Sequence, residues 1–539
     1  MRNRAWLLLL TPLLVLCALT SATAADAPVR SCASLMQLNL PNATITSAAP
    51  MAAAAFVPPG LKPDEKVPPV FTSAPAFCRV AVTLKPTPDS DIKVEVWMPA
   101  SGWNGKFRGI GNGGFAGYIS YGGLAAAVSQ GYAASSTDTG HSTEGAEWAL
   151  GHPEKIVDYG YRGVHEMTVS AKAVVKAFYD VAAKPTYFAS CSNGGRQALM
   201  EAQRFPDDYD GIIAGAPANS WVPMVTKGLK ELKALDGAGY IPPTKIAAIS
   251  EAVLSACDAQ DGLKDGVVND PRQCHFDPSV LLCKDKESDA CLTSRQVDSL
   301  ETIYADAHDL AGGPEFPGLL PGSEDGRGGW AVWVTGSEEG KSLGTFFVTG
   351  YFADMVYGKK YWDYRASDVA AAEKLAQKKT GNSMNAMNPD LKQFLAHGGK
   401  LILYHGWNDP AISALNTVRY YNSAVAAVGA TAADQSMRLY MVPGMQHCAG
   451  GPGGTIFGQI EEEPRANAEH DIFTSLVQWV ENGKAPGTII AAKYSGPDAK
   501  APEMTRPICP YPQAPEYKGA GDPKRAESFV CTAGGSTRK

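Results

Sequence analysis

No C-x-x-C pair occurs anywhere in the 539 residues, so the usual zinc-ribbon and dithiol-redox readings of the cysteines fall away. Basic clusters are missing too: with 48 Lys and Arg against 55 Asp and Glu, the net charge is −7, which excludes a nucleic-acid partner. Beyond the N-terminus no apolar run approaches the roughly 20 residues a membrane-spanning helix needs. There is no internal repeat, which removes solenoids and propellers. Loose, linker-like composition is confined to Ser47–Pro69 and the tail after Ala533. A hydrophobic content of 45% with 19% charged residues is that of an ordinary globular chain.

What is present begins with a leader. Arg2 and Arg4 precede an apolar run from Ala5 to Leu19, and Ala22-Thr23-Ala24 has the small-x-small pattern of a signal-peptidase site. Residues 1–24 therefore read as a signal peptide and the mature chain as starting near Ala25, secreted or periplasmic and free of the membrane. Leu16 before Cys17 argues against a lipid anchor. Cleavage leaves ten cysteines, an even number that in an oxidising compartment reads as five disulfides. About 515 residues remain, enough for one large domain with an insertion or for two domains.

Periodicity predicts early strands at Val80–Leu84 and Ile92–Met98, then Lys106–Gly111, Tyr132–Ser136, Pro185–Ala189, Gly211–Ala216, Leu401–Tyr404 and Arg438–Val442. Helices are expected over Gly163–Tyr179, Gly194–Phe205 and Asp471–Asn482. Alternation of this kind implies an α/β chain with a mostly parallel sheet. From Asn219 to Gly398 the rhythm is lost. Residues 219–398 thus read as a lid inserted into a catalytic domain formed by 25–218 and 399–539.

Strand, sharp turn, Ser and helix meet at Ser190-Cys191-Ser192-Asn193-Gly194-Gly195, a nucleophile-elbow pattern in which Ser190 stands where a glycine is usual. A serine hydroxyl needs a base, and the base needs an acid to hold its tautomer. Asp409 and His447 follow in that order, each just past a strand; a helix N-cap is the other reading of Asp409, and His405 is the rival base, better placed as a pocket wall. Cys191 and Cys448 flank the serine and the histidine. If they are bonded to each other, Ser192 and His447 are pinned together, because a disulfide holds its Cα atoms within about 4.4–6.8 Å. The N–H of Asn193 and the loop Gly113-Gly114 are the candidate oxyanion donors. A second signal lies in the irregular block. Asp258, Asp261 and Asp265, with the carbonyls of Leu263 and Val267 among turn-forming glycines, offer the oxygen-rich shell a structural Ca²⁺ takes, although the spacing is not an EF-hand.

Taken together, Ser190–Gly195, Asp409, His447-Cys448, Gly111-Asn112-Gly113-Gly114-Phe115 and Tyr209–Ala218 resemble the tannase and feruloyl esterase family over Cys32 to Cys531. The resemblance implies an α/β-hydrolase fold with a disulfide-stapled lid, the calcium site at Asp258–Val267, and disulfides Cys191–Cys448, Cys32–Cys78, Cys257–Cys274, Cys283–Cys291 and Cys509–Cys531. It also implies a serine esterase acting on esters of aromatic acids, feruloyl or galloyl, some attached to plant polysaccharide; a relative cleaves a terephthalate half-ester. Hydrolysis of phthalate-type half-esters is the alternative within enzymes, and a silent polyphenol- or carbohydrate-binding scaffold the alternative outside them. For substrate contact the sequence points to Tyr351-Phe352 and Tyr357–Tyr364, with Arg365 either meeting a carboxylate or forming a surface ion pair.

Overall fold

Strand-length runs in which successive apolar residues face opposite ways demand cover on both sides, and the chain supplies it. The computed structural model describes residues 30–533 except 63, 309–313, 460–466 and 497–498; the expected leader, residues 1–24, and the tail after Ala533 lie outside the described residues. Nine strands form one sheet: β1 Ala43–Met51, β2 Phe77–Leu84, β3 Ile92–Pro99, β4 Phe107–Ile110, β5 Ala133–Thr137, β6 Thr186–Cys191, β7 Gly211–Gly215, β8 Lys400–Gly406 and β9 Met437–Val442. Their spatial order is β1-β2-β3-β5-β4-β6-β7-β8-β9. The first four in that order pair antiparallel, and from β5 through β9 every pairing is parallel. The first five residues of the expected linker, Ser47–Met51, belong to β1, where they pair with β2: backbone pairing outweighs their weak composition signal.

Alternation along β8 shows how the sheet is buried. Leu401 and Leu403 pack on one face, Ile402 and Tyr404 on the other. The first face is covered by α2 (Gly163–Tyr179), through Val164, Met167, Ala171, Val174 and Phe178, and by α3 (Asn193–Arg204), through Ala198, Leu199 and Ala202. The second is covered by α1 (Tyr121–Ser129), through Leu124, Ala125 and Val128, and by α8 (Ile472–Asn482), through Ile472, Leu476 and Trp479. This is the α/β-hydrolase arrangement of a mixed sheet between helix layers.

Between β7 and β8 the chain leaves the sheet and builds α4 (Trp221–Ala234), α5 (Leu343–Gly350) and α6 (Val369–Met384). These helices share a core of their own around Trp221, Val225, Leu229, Val348, Tyr351 and Ala376. Disulfides Cys257–Cys274 and Cys283–Cys291 staple the irregular part of this segment. The remaining bridges join Cys32 to Cys78, Cys191 to Cys448 and Cys509 to Cys531, so all ten cysteines among the described residues are paired. Among the described residues no helix is long and apolar enough to cross a membrane.

Candidate active site

Parallel strands present their loops at a common edge, and four of those loops meet here: the ones after β4, β6, β8 and β9. The loop after β6 is the tightest. Ser192 sits at φ 66° and ψ −125°, a left-handed conformation for a residue with a Cβ, which costs about 1–3 kcal/mol and has to be imposed by its surroundings. Its N–H donates to the Gly215 carbonyl at 2.9 Å, and its own carbonyl accepts from Arg196 and Ala218. A Cβ on Gly194 would lie 2.6 Å from Ser190 Cβ, and one on Gly195 would lie 3.0 Å from Pro217 Cα. A Cβ on Gly111 would sit 2.9 Å from Ser190 Cβ. Ser190 therefore replaces a glycine without strain because both neighbours that face it are glycines.

Ser192 Oγ donates to His447 Nε2 at 2.9 Å, and His447 Nδ1 donates to Asp409 Oδ2 at 2.8 Å. A carboxylate only accepts, so the proton of the neutral imidazole is on Nδ1 and the lone pair on Nε2 faces the serine. Asp409 is fully buried. Its Oδ1 accepts from the N–H groups of Ala411 and Ile412 at 2.8 and 3.0 Å, and its Oδ2 takes a second proton donor, His405 Nε2, at 3.0 Å. Burial by itself would raise this carboxyl, but the charge of His447 and the hydrogen bonds from His405 and His447 outweigh it and hold Asp409 well below the usual carboxylate range.

His405 is neither the base nor a pocket wall. It is fully buried, accepts from Thr417 Oγ1 at 2.7 Å and turns Nε2 onto Asp409. Nor is Asp409 a helix cap: the helix after it, α7 (Ala414–Val428), starts past Ser413. Behind the histidine, Cys448 is also left-handed at φ 61°, and its disulfide to Cys191 sets the two Cα atoms 6.0 Å apart. The backbone neighbours of the hydroxyl and of the imidazole are thus covalently joined.

A buried polar net ties the glycine loop to the elbow helix. Asn193 Nδ2 donates to the Asn112 carbonyl, Gln197 Nε2 donates to Asn112 Oδ1 at 2.8 Å, and the Asn112 N–H donates back to Gln197 Oε1. Arg196, fully buried, grips Asn193 Oδ1 through Nε and Nη2 and donates to the carbonyls of Tyr159 and Gly160. Sequence reasoning missed this net; its one visible signal was an amide at the first position, and a guanidinium and a second amide one turn inside, of the helix that follows the serine. The Gly113 N–H donates to Tyr118 Oη at 2.8 Å. Gly114 lines the cavity that holds Ser192, Asn193 and His447.

That cavity measures about 130 Å³, close to the roughly 150 Å³ that admits a benzene-sized ring in an engineered protein interior. Its aromatic walls are Trp221, Phe316, Trp333 and Phe347, with Lys227 and Glu231 as the charged side chains. Trp333 sets its ring edge-on to His447, centroids 4.8 Å apart. Lys227 donates to Glu231 at 2.6 Å and to the Thr302 carbonyl. The aromatics singled out in the sequence lie elsewhere. Tyr351 and Phe352 are buried in the core of the inserted segment, Tyr357 stacks on Trp362, and Arg365 pairs with Asp236 at 2.7 Å on the surface.

At the acidic loop, Asp258 accepts from the N–H groups of Asp265 and Gly266, Asp261 from Leu263, and Asp265 from Val267. Arg506 pairs with Asp265 Oδ2 at 2.6 Å. Burial, with the charges of Asp265 and Asp258, pushes the Asp261 carboxyl up to about 6. Partial burial and neighbouring acidic charge suit a hard cation, although the three carboxylates do not close to within 4.8 Å of one another in the described structure and Arg506 already occupies one of them.

The family model described as tannase and feruloyl esterase matches residues 78–532. An uncharacterized esterase of Xanthomonas campestris is 40% identical over 542 aligned residues, covering 95% of this chain and 92% of that protein. A probable feruloyl esterase B of Aspergillus clavatus is 32% identical, covering 96% and 99%. Among solved structures, feruloyl esterase B from Aspergillus oryzae superposes with a TM-score of 0.84 at 29% identity over 93% of this chain and 99% of that one. Tannin acyl hydrolase from Aspergillus niger, at 22% identity and a TM-score of 0.72 over 92% of each chain, shares the fold.

Proposed function

Because the chain belongs to the tannase and feruloyl esterase family and is a carboxylic ester hydrolase, we propose that it cleaves esters of aromatic acids through Ser192, His447 and Asp409. One observation carries this reading: the unbroken hydrogen-bonded chain Ser192–His447–Asp409 opens onto a ring-sized cavity walled by Trp333 and Phe347. Ser192 Oγ attacks the ester carbonyl as its proton passes to His447 Nε2. Collapse of the tetrahedral intermediate expels the alcohol, which leaves with that proton, and water repeats the sequence on the acyl-enzyme. The imidazolium formed in each half is stabilised by Asp409, whose carboxylate four donors keep charged and oriented. The oxyanion falls to the N–H of Asn193 and that of Gly114, each worth about 3–4 kcal/mol in the transition state. Gly113, whose N–H already serves Tyr118, shapes the loop instead.

The acid's ring packs against the cavity wall formed by Trp333 and Phe347, and its polar substituents reach Lys227 and Glu231, which suits a feruloyl or galloyl group. Residues 219–398 serve as the lid that supplies these walls. The loop Asp258–Val267 holds a structural Ca²⁺ through Asp258, Asp261, Asp265 and the carbonyls of Leu263 and Val267; when bound, the ion neutralises carboxylates that otherwise repel one another. Five disulfides fit an extracellular or periplasmic setting; of the two, the extracellular one gives access to esters attached to plant polysaccharide.

Purified protein assayed against feruloyl, galloyl and terephthaloyl half-esters tests the reading, alongside labelling by a fluorophosphonate. Labelling abolished in Ser192→Ala, with turnover of feruloyl or galloyl esters, is the expected result. Wild-type protein that folds yet is not labelled would refute the serine mechanism, and turnover restricted to alkyl acyl groups would refute the aromatic pocket.

A further inference from the structure

Remote from the serine, three side chains with no part in ester cleavage converge where two helices meet the entry to β7: His165 of α2, Glu201 in the last turn of α3, and Asp208 in the turn that follows. One ligand atom from each lies within 4.8 Å of the other two. Glu201 is fully buried with no donor on either carboxylate oxygen among the described residues, and burial together with the Asp208 carboxyl beside it holds it well above the usual carboxylate range. An uncompensated carboxylate in such a place costs several kcal/mol unless something neutralises it. The nearby cation does so only in part: Lys172 acts on Glu201 through its charge but donates its ammonium to the backbone carbonyl of Asp208. His165 is held ready, its ring stacked on Phe205 with centroids 3.7 Å apart and its Nδ1 at 2.7 Å from Asp208 Oδ2. The imidazole is 28% exposed and Asp208 13%, which leaves a small ion a path from solvent.

We propose that His165, Glu201 and Asp208 form a binding site for a divalent transition-metal ion, with Zn²⁺ as its representative. One imidazole and two carboxylates suit Zn²⁺ far better than Ca²⁺, which takes six or more oxygens. The ion replaces the proton between His165 Nδ1 and Asp208 Oδ2. At bond lengths of about 2.0–2.1 Å, tetrahedral ligand atoms stand about 3.3 Å apart, so the 2.7 Å contact has to open by roughly 0.6 Å. Side-chain torsions of a partly exposed pair accommodate that. Glu201 closes in as the third ligand, its charge neutralised, and water fills the fourth position. The ion then links α2, the far end of the helix that begins at Ser192, and the turn into β7, a stabilising cross-link independent of the calcium loop.

Full-length oxidised protein, stripped with a chelator and titrated with Co²⁺ and separately with Zn²⁺, tests the proposal. Expected are one equivalent of Co²⁺ with visible ligand-field absorption, Zn²⁺ binding at micromolar or lower concentration, and a melting temperature that rises with Zn²⁺. His165→Ala and Glu201→Gln should each weaken Zn²⁺ by at least about 100-fold, while Asp261→Asn in the calcium loop leaves it unchanged. Glu201→Gln keeps the buried shape and removes the charge, so it should fold and keep the result readable. Absence of binding at about 1 mM Zn²⁺ would overturn the proposal and leave Glu201 and Asp208 sharing a proton. Binding of equal strength in wild type and both variants would overturn it as well, since the metal would then sit elsewhere.

Discussion

Asp409→Asn is the substitution whose consequence the geometry defines most narrowly. All four contacts to the Asp409 carboxylate come from donors: Ala411 and Ile412 N–H on Oδ1, His447 Nδ1 and His405 Nε2 on Oδ2. An amide of the same shape keeps one acceptor oxygen, which the two backbone N–H groups claim because they are rigid. The amide NH₂ then faces His447 Nδ1, and two donors cannot share that contact. His447 answers by moving its proton to Nε2, the nitrogen 2.9 Å from Ser192 Oγ, and can no longer take the serine's proton. A wrong-tautomer change of this kind in a serine triad costs about 10⁴ in kcat, or about 5.4 kcal/mol. The ring cavity is untouched, so KM for a feruloyl ester should move less than about three-fold. Because the residues act as a unit, Asp409→Asn combined with His447→Ala should be no slower than His447→Ala alone by more than about ten-fold. Steady-state kinetics on variants whose melting temperatures are recorded in parallel provide the assay. A loss in kcat below about ten-fold in a folded Asp409→Asn protein, or strictly additive losses in the double variant, would show that Asp409 does not set the tautomer.

Replacing His405 by Phe removes one donor from Asp409 and should lower kcat by about ten-fold, with activity shifted toward higher pH; unchanged pH dependence would deny His405 a hold on the acid. Trp333→Ala opens the cavity wall beside His447 and should raise KM for aryl esters by about ten-fold while sparing acetyl esters, a contrast that a two-substrate assay reads directly. Burial pushes the Asp138 carboxyl up to about 7. Since the folded state then holds a proton that the unfolded state releases near pH 4, this group costs stability as pH climbs from 4 to 7. Asp138→Asn keeps the acceptor for the N–H groups of Lys93 and Gly140 and should add on the order of 2–4 kcal/mol at pH 8 and nothing at pH 4; urea melts at both pH values would expose an equal effect, which contradicts the argument. Chelating Ca²⁺ should lower the melting temperature by several degrees without changing labelling of Ser192 in folded protein, and Asp261→Asn should abolish that difference; a melt indifferent to chelator and to added Ca²⁺ removes the ion from the loop.

Much of this molecule was written locally. Two-residue alternation along Ile92–Pro99 and apolar runs such as Leu401–Leu403 dictate strands, because only a sheet covered on its faces hides them. The elbow was legible for the same kind of reason: Gly194 and Gly195 stand where any Cβ would strike Ser190 or Pro217, so backbone sterics leave their mark on residue type. Asp409 and His447 were legible through chain order, each a few residues past a strand end. Side-chain partners over long separations carry no such mark. That His405 would serve Asp409, that Arg196 and Gln197 would lash the glycine loop to α3, and that Trp333 and Phe347 rather than Tyr351 and Phe352 would wall the cavity were decided by how the inserted helices pack. An aromatic residue looks the same in sequence whether its ring ends in a core or against a substrate, and only the direction of the helix that carries it separates the two.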